Sequence, residues 1–191
     1  SLVRDAKAEG LPVTCEVTPH HLFLSEEVIG DDYNTNFKVN PPLRTKEDCA
    51  ALIEGVADGT VDCIVTDHAP HIDWEKDYEF ERAPFGMTGL ETSLGLVLTN
   101  LVAPGIIDYA KMIQLMATNP RRILHVDEVG IAVGSTADLT VIDPDTSWIV
   151  SVENMLSKAR NSGFIGTELK GRATDVYVGG YATLEEGKIV E

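Results

Sequence analysis

The hexapeptide Thr66-Asp67-His68-Ala69-Pro70-His71 is the densest group of reactive side chains in the sequence, and it follows the mostly apolar run Val61-Asp62-Cys63-Ile64-Val65. Barrels and open α/β sheets gather ligands and catalytic groups at the carboxyl ends of their strands, because the strand fixes the first residue while the loop beyond is free to vary. A carboxylate placed there, as Asp67 would be, can bind a divalent metal through one oxygen. It can also take a proton from an attacking water and pass it to a leaving nitrogen. The plain alternative is a strand-end aspartate that caps the next loop. His71 lies four residues on, behind a proline that stiffens its placement, and could bind a substrate carboxylate. His68 is expected to point away from Asp67 and brace the loop.

Two further stretches could hold a ligand. In Lys38-Val39-Asn40-Pro41-Pro42-Leu43-Arg44 the prolines remove donors and restrict the backbone. Asn40 would then sit in a fixed pose, suited to hydrogen bonding both edges of an amide or imide ring. A proline-rich turn without a ligand is the competing view. In Ala83-Pro84-Phe85-Gly86 the glycine permits close backbone approach, which could bring main-chain groups against a ligand. His20 and His21 are adjacent, so on leaving a strand they would point to opposite sides, and they read as structural or supporting residues. His125 reads as a helix-end residue. Cys15, Cys49 and Cys63 show no CxxC spacing and suit small core residues better than ligands or a disulfide, in keeping with a reducing cytosol.

The elements that must position these residues alternate. Leu2, Val3 and Ala6 share a helical face that ends at Gly10. Residues 13–18 form a β-branched run expected to be a buried strand. Residues 25–44 are turn-rich and expected to be a long loop. Thr45 with Asp48 predicts a capping box on a helix that ends at Gly59, and residues 61–66 predict the second buried strand. Beyond a charged loop over 72–82, Thr88 with Glu91 predicts another capping box, on an apolar helix running to Val102. Asp108 is expected to cap a further helix, and Asn119-Pro120 to restart a short one through Leu124. From Gly134 the texture changes to short strands over 137–142, 148–150 and 174–178, with a helical interruption over 152–159. Strand, helix, strand followed by a β-rich tail is an α/β organisation.

The 191 residues can bury a core of one domain or a domain with an appendage. Fifteen basic residues against thirty-one acidic ones give a formal charge of −16, which disfavours nucleic acid and anionic membranes as partners. The same charge opposes an anionic substrate, so a site for one needs a metal ion or a local arginine. No run approaches the ~18 apolar residues that span a bilayer, and the first residues lack the apolar core of a signal peptide. A cytoplasmic protein is expected.

Taken in order, Glu16-Val17-Thr18-Pro19-His20-His21-Leu22, the Lys38 to Arg44 stretch, the hexapeptide at Asp67 and Ala83-Pro84-Phe85-Gly86 closely resemble the C-terminal half of bacterial-type dihydroorotases, within the cyclic amidohydrolase superfamily. Thr118-Asn119-Pro120 with Ile123-Leu124, Gly134-Ser135-Thr136-Ala137-Asp138-Leu139 and Asn161-Ser162-Gly163-Phe164 resemble that family's barrel exit and closing β domain, so the resemblance covers essentially the whole chain. It implies the C-terminal part of a (β/α)8 TIM-barrel metallohydrolase over residues 1–133, its seventh and eighth strands with their helices, and a small composite β domain over 134–191. It implies one or two zinc ions and a reaction that opens the amide of dihydroorotate, or closes N-carbamoyl-L-aspartate into it, in pyrimidine biosynthesis. Asp67 matches the last-strand aspartate that binds metal and shuttles the proton. His71 and Asn40 match substrate-recognition positions, and the backbone near Phe85 and Gly86 matches the lip of the pocket. His71 together with Asn40 favours dihydroorotase over dihydropyrimidinases, which usually lack a histidine four residues after the aspartate. Allantoinases remain a close alternative.

The family's His-x-His pair, its bridging carbamylated lysine and two further metal histidines belong to earlier strands, and those motifs do not occur in this sequence. A zinc site needs at least three protein ligands, so the chain is expected to be metal-free in isolation and to need the N-terminal half of the same enzyme as its partner. Assembly into a homo-oligomer or with aspartate carbamoyltransferase is a further expectation. The sequence opens within a helix at Ser1, without an initiating methionine, which points to a piece of a longer polypeptide. A non-catalytic dihydroorotase-like subunit that stabilises a partner enzyme is the alternative from another class.

Overall fold

The structure, a computed structural model, describes residues 2–127 and 129–190. Helix α1 (Leu2–Ala8) ends ahead of Gly10, whose φ of 77° is the left-handed conformation that a terminating glycine supplies. Strand β1 (Glu16–Val17), helix α2 (Pro19–Phe23), helix α3 (Lys46–Asp58) and strand β2 (Cys63–Ile64) follow. The two strands are parallel, with Glu16 opposite Cys63 and Val17 opposite Ile64. Main-chain bonds from Asp62 N to Cys15 O and from Val65 N to Val17 O extend the pairing slightly.

The strands expected over 13–18 and 61–66 are therefore shorter. Thr18 leaves the ladder to cap α2, its hydroxyl accepting from His21 N at 3.3 Å with Pro19 at the first helical position. Val13 and Thr14 are exposed rather than buried, and of the three cysteines only Cys63 is buried. Helix α3 carries the expected reciprocal box between Thr45 and Asp48 and ends at Gly59 with φ 85°. The segment 25–44 is more packed than a loop. It holds 3₁₀ turns at Glu26–Ile29 and Thr35–Phe37, and it buries Lys38, Val39 and Leu43.

Helix α4 (Asp73–Lys76) is a single turn, and α5 (Ser93–Val97) runs on as a π turn over Leu98–Val102. The capping box expected of Thr88 and Glu91 does not form, because distant partners claim both residues. Thr88 donates from N and Oγ1 to Asn161 O, and the Glu91 carboxylate accepts from Leu156 N at 2.7 Å and Ser157 N at 2.9 Å. Asp108 caps α6 (Tyr109–Ile113) as expected, accepting from Lys111 N at 2.7 Å. Asn119-Pro120 does not restart a helix: α6 passes through a π turn over Gln114–Thr118 straight into α7 (Asn119–Ile123). Pro120 has no N–H to give, and the wider turn absorbs the missing bond. Beneath β1 and β2, Val17, Leu22, Val56, Ile64, Leu101 and Leu115 form one buried cluster.

The tail is an antiparallel meander of β3 (Leu139–Ile149), β4 (Glu168–Val178), β5 (Tyr181–Glu185) and β6 (Lys188–Ile189), paired in that order. Two of the expected strands are one, because β3 crosses 143–146 on an irregular register while the Asp143 carboxylate accepts from Asp145 N, Thr146 N and Thr146 Oγ1. The β5–β6 hairpin goes beyond the sequence expectation, and the helical interruption shrinks to a 3₁₀ turn at Val152–Asn154. Glu91 and Arg160 draw off the main-chain groups of Met155, Leu156 and Ser157 that a longer helix would use. Val150, Phe164 and Leu169 of this tail share a buried cluster with Val39, Leu43, Met87 and Leu96. The segments on either side of residue 134 are thus packed through a common core.

Candidate functional site

Three residues beyond β2, the chain turns at Asp67, which has a φ of 45°. Its carboxylate is exposed and accepts no hydrogen bond among the described residues, so it does not cap the loop that follows. It lines a cavity of about 610 Å3 together with Glu16, His21, Asn40, Arg44 and Val65. Arg44 is the basic group on that wall, facing a protein that is otherwise strongly anionic. His21 is tied at both ring nitrogens, Nδ1 to Thr18 Oγ1 at 2.6 Å and Nε2 to Pro41 O at 2.8 Å. It therefore braces the turn that presents Asn40, in agreement with its structural reading.

His71, Phe85 and Gly86 gather in a second cluster beside this cavity. His71 Nε2 donates to Phe85 O at 3.0 Å, and Nδ1 lies 3.3 Å from a carboxylate oxygen of Glu75. Both neighbours are acceptors. Gly86 has a φ of 118°, and a side chain there would collide with Ala69. Its close backbone approach is thus to the loop after Asp67, not to open space. Gly86 N donates to Lys38 O at 2.8 Å, which joins the lip to the Asn40 segment.

Two buried ammonium groups hold that lip from below. Lys38 Nζ donates to Ala83 O at 2.6 Å and Glu81 O at 3.0 Å and lies 4.5 Å from the centroid of the Phe85 ring. Lys76 Nζ donates to Pro84 O at 2.9 Å, and burial, with Lys38 nearby, pulls its pKa down to about 8.

Asn161 is a residue that sequence reasoning did not single out. It is buried, its Oδ1 accepts from His71 N at 2.9 Å, and its Nδ2 donates to Ala69 O at 2.9 Å and Gly86 O at 3.2 Å. The one available signal was its place in the Asn161-Ser162-Gly163-Phe164 segment. His68 braces the loop as expected, its Nδ1 accepting from Gly89 N at 3.1 Å. His20 is buried, and burial, reinforced by His21, lowers its pKa to about 3. His125 ends a helix with a φ of 54°.

The structure therefore brings Asp67 and Asn40 to one cavity and places His71, Phe85 and Gly86 next to it. Among the described residues no three His, Cys, Asp or Glu side chains converge where they could hold a metal ion. By themselves the described residues do not fit a zinc centre. Asp67 offers one unpartnered carboxylate.

Comparison with known proteins places these features in context. Residues 3–190 match the Amidohydrolase family. A dihydroorotase of Chlorobaculum tepidum is 51% identical over 178 residues, covering 93% of this chain and 40% of that protein. A dihydroorotase of Pelotomaculum thermopropionicum is 49% identical, with 97% of this chain and 43% of that protein covered. Among solved structures, the D-hydantoinase (dihydropyrimidinase) of Thermus sp. superposes with a TM-score of 0.90 at 29% identity, over 98% of this chain and 43% of its own. The chain thus spans about 40% of the length of the curated relatives it matches.

Proposed function

The chain belongs to the amidohydrolase family, and from that premise we propose that it forms part of a dihydroorotase, an enzyme that reversibly cyclises N-carbamoyl-L-aspartate to dihydroorotate. The observation that carries this reading is the Asp67 carboxylate, three residues beyond β2 and without a hydrogen-bond partner among the described residues, sharing a cavity wall with Asn40 and Arg44. In the proposed scheme β1 and β2 are the last two strands of a (β/α)8 barrel over residues 1–133, and residues 134–191 are a composite β domain. The rest of the enzyme is the partner this requires.

Asp67 accepts the proton of the attacking water and returns it to the departing amide nitrogen; in the cyclising direction it takes a proton from the ureido nitrogen and gives it to the carboxyl hydroxyl, which leaves as water. In the complete enzyme the Asp67 carboxylate would supply one ligand to a zinc ion, which would polarise the attacking water, with the other ligands coming from outside this chain. Asn40 binds the edge of the ring amide, and Arg44 offsets the negative field around an anionic substrate. His71 binds the substrate carboxylate by exchanging one of its ring contacts, to Phe85 O or Glu75, for the substrate, and the main chain at Phe85 and Gly86 closes the lip. Identity with two dihydroorotases supports this reading over an allantoinase or a non-catalytic scaffold.

Turnover of carbamoyl aspartate, allantoin and dihydrouracil by the complete enzyme tests the assignment. Carbamoyl aspartate should be preferred by at least about a hundredfold in kcat/KM, because a site built to pair a substrate carboxylate rejects analogues that lack it. Substituting His71→Ala should narrow that preference. A complete enzyme that turns over allantoin or dihydrouracil better than carbamoyl aspartate would remove the assignment.

A further inference from the structure

Asn161 reaches back across the sequence to both segments that flank the proposed substrate pocket. It is 3% exposed. Its amide oxygen takes the N–H of His71, and its two amide hydrogens go to the carbonyls of Ala69 and Gly86. Its own carbonyl accepts from Thr88 N at 2.8 Å. The amide therefore exhausts its donors on main-chain groups of two separate loops. His71 Nε2 to Phe85 O and Ala69 N to Met87 O close the same gap from the other side.

We propose that Asn161 is a positioning residue for substrate recognition, setting the spacing between the His71 loop and the Phe85-Gly86 lip. The inference rests on the reading that these two segments contact the substrate. Removing the amide would leave the His71 N–H and the Ala69 and Gly86 carbonyls without this partner in a buried setting, and the loops would move to find others. Recognition is sensitive to displacements of about 1 Å. Asp67, in contrast, receives none of the hydrogen bonds of the Asn161 side chain, which go to His71 N, Ala69 O and Gly86 O. Losing Asn161 should therefore weaken substrate binding far more than proton transfer.

The test is steady-state kinetics on the complete, zinc-loaded enzyme. Asn161→Ala should raise KM for carbamoyl aspartate about tenfold or more while kcat stays within about threefold. Met112→Ala, which opens the separate core cluster beneath β1 and β2, should lower Tm without moving KM. A folded Asn161→Ala enzyme with unchanged KM, or with kcat falling while KM stays fixed, would overturn the proposal. Should that variant fail to fold, the isosteric Asn161→Asp, which turns a carboxylate toward two carbonyls, answers the same question through its KM. Should both fail, amide exchange of His71 in the unmodified enzyme decides: slow exchange without substrate supports the clamp, and exchange at the rate of an open loop overturns it. Lack of carbamoyl aspartate turnover in the unmodified enzyme would instead sink the dihydroorotase assignment, leaving the exchange measurement as the test of the clamp.

Discussion

Four residues separate Asp67 from His71, yet their surroundings differ in kind. Asp67 faces the cavity with no partner among the described residues, whereas His71 is held at its main-chain N–H and near both ring nitrogens. That Asp67 and Asn40 line one cavity was open to sequence reading, because each sits on a short stretch with strong local backbone constraints. Asn161 and Lys38 were not, because their roles depend on partners up to 92 residues away that no local pattern encodes. The buried His20 gives a prediction at this scale. Its pKa in the folded protein, about 3, lies below the ordinary value of 6.5. The unfolded chain therefore binds an extra proton as pH falls from about 6.5 toward 3, and stability is lost over that window at up to about 1.4 kcal/mol per pH unit. Urea unfolding from pH 7 to pH 4 should show this loss. His20→Gln should flatten the limb, and an identical slope in the variant would count against the assignment.

At the scale of elements, local signals held wherever the partner was also local. The Thr45 box and the Asp108 cap lie within three residues of their acceptors and donors and formed as expected. The Thr88 to Glu91 box failed because Glu91 is claimed by Leu156 and Ser157, 65 and 66 residues away in sequence. The sheet packs on α5 and its π turn through glycines. Gly171 has a φ of 85°, and a side chain there would collide with Leu98, while Gly180 has the same φ with open space around it. Gly171→Ala should thus cost on the order of 3 kcal/mol, combining left-handed strain with overpacking, and Gly180→Ala only about 1 kcal/mol of strain. Equal losses in denaturant unfolding would show that the sheet does not press on the π turn.

At the scale of the molecule, the α/β organisation was readable from the order of helix, strand, helix, strand and β-rich tail. The continuous core joining tail to barrel-like segment was not, because Val150, Phe164 and Leu169 meet Val39 and Met87 only once the chain has folded. Among the described residues no three-ligand cluster forms. This chain alone should therefore bind no stoichiometric zinc by metal analysis after dialysis, and tight binding of one ion per chain would refute that. The central claim is that the Asp67 carboxylate takes part in the chemistry. Carbamoyl aspartate cyclisation by the complete enzyme, compared with its Asp67→Asn variant at matched Tm, tests it most directly. The variant should lose at least about a thousandfold in kcat, and turnover close to that of the unmodified enzyme would contradict the claim.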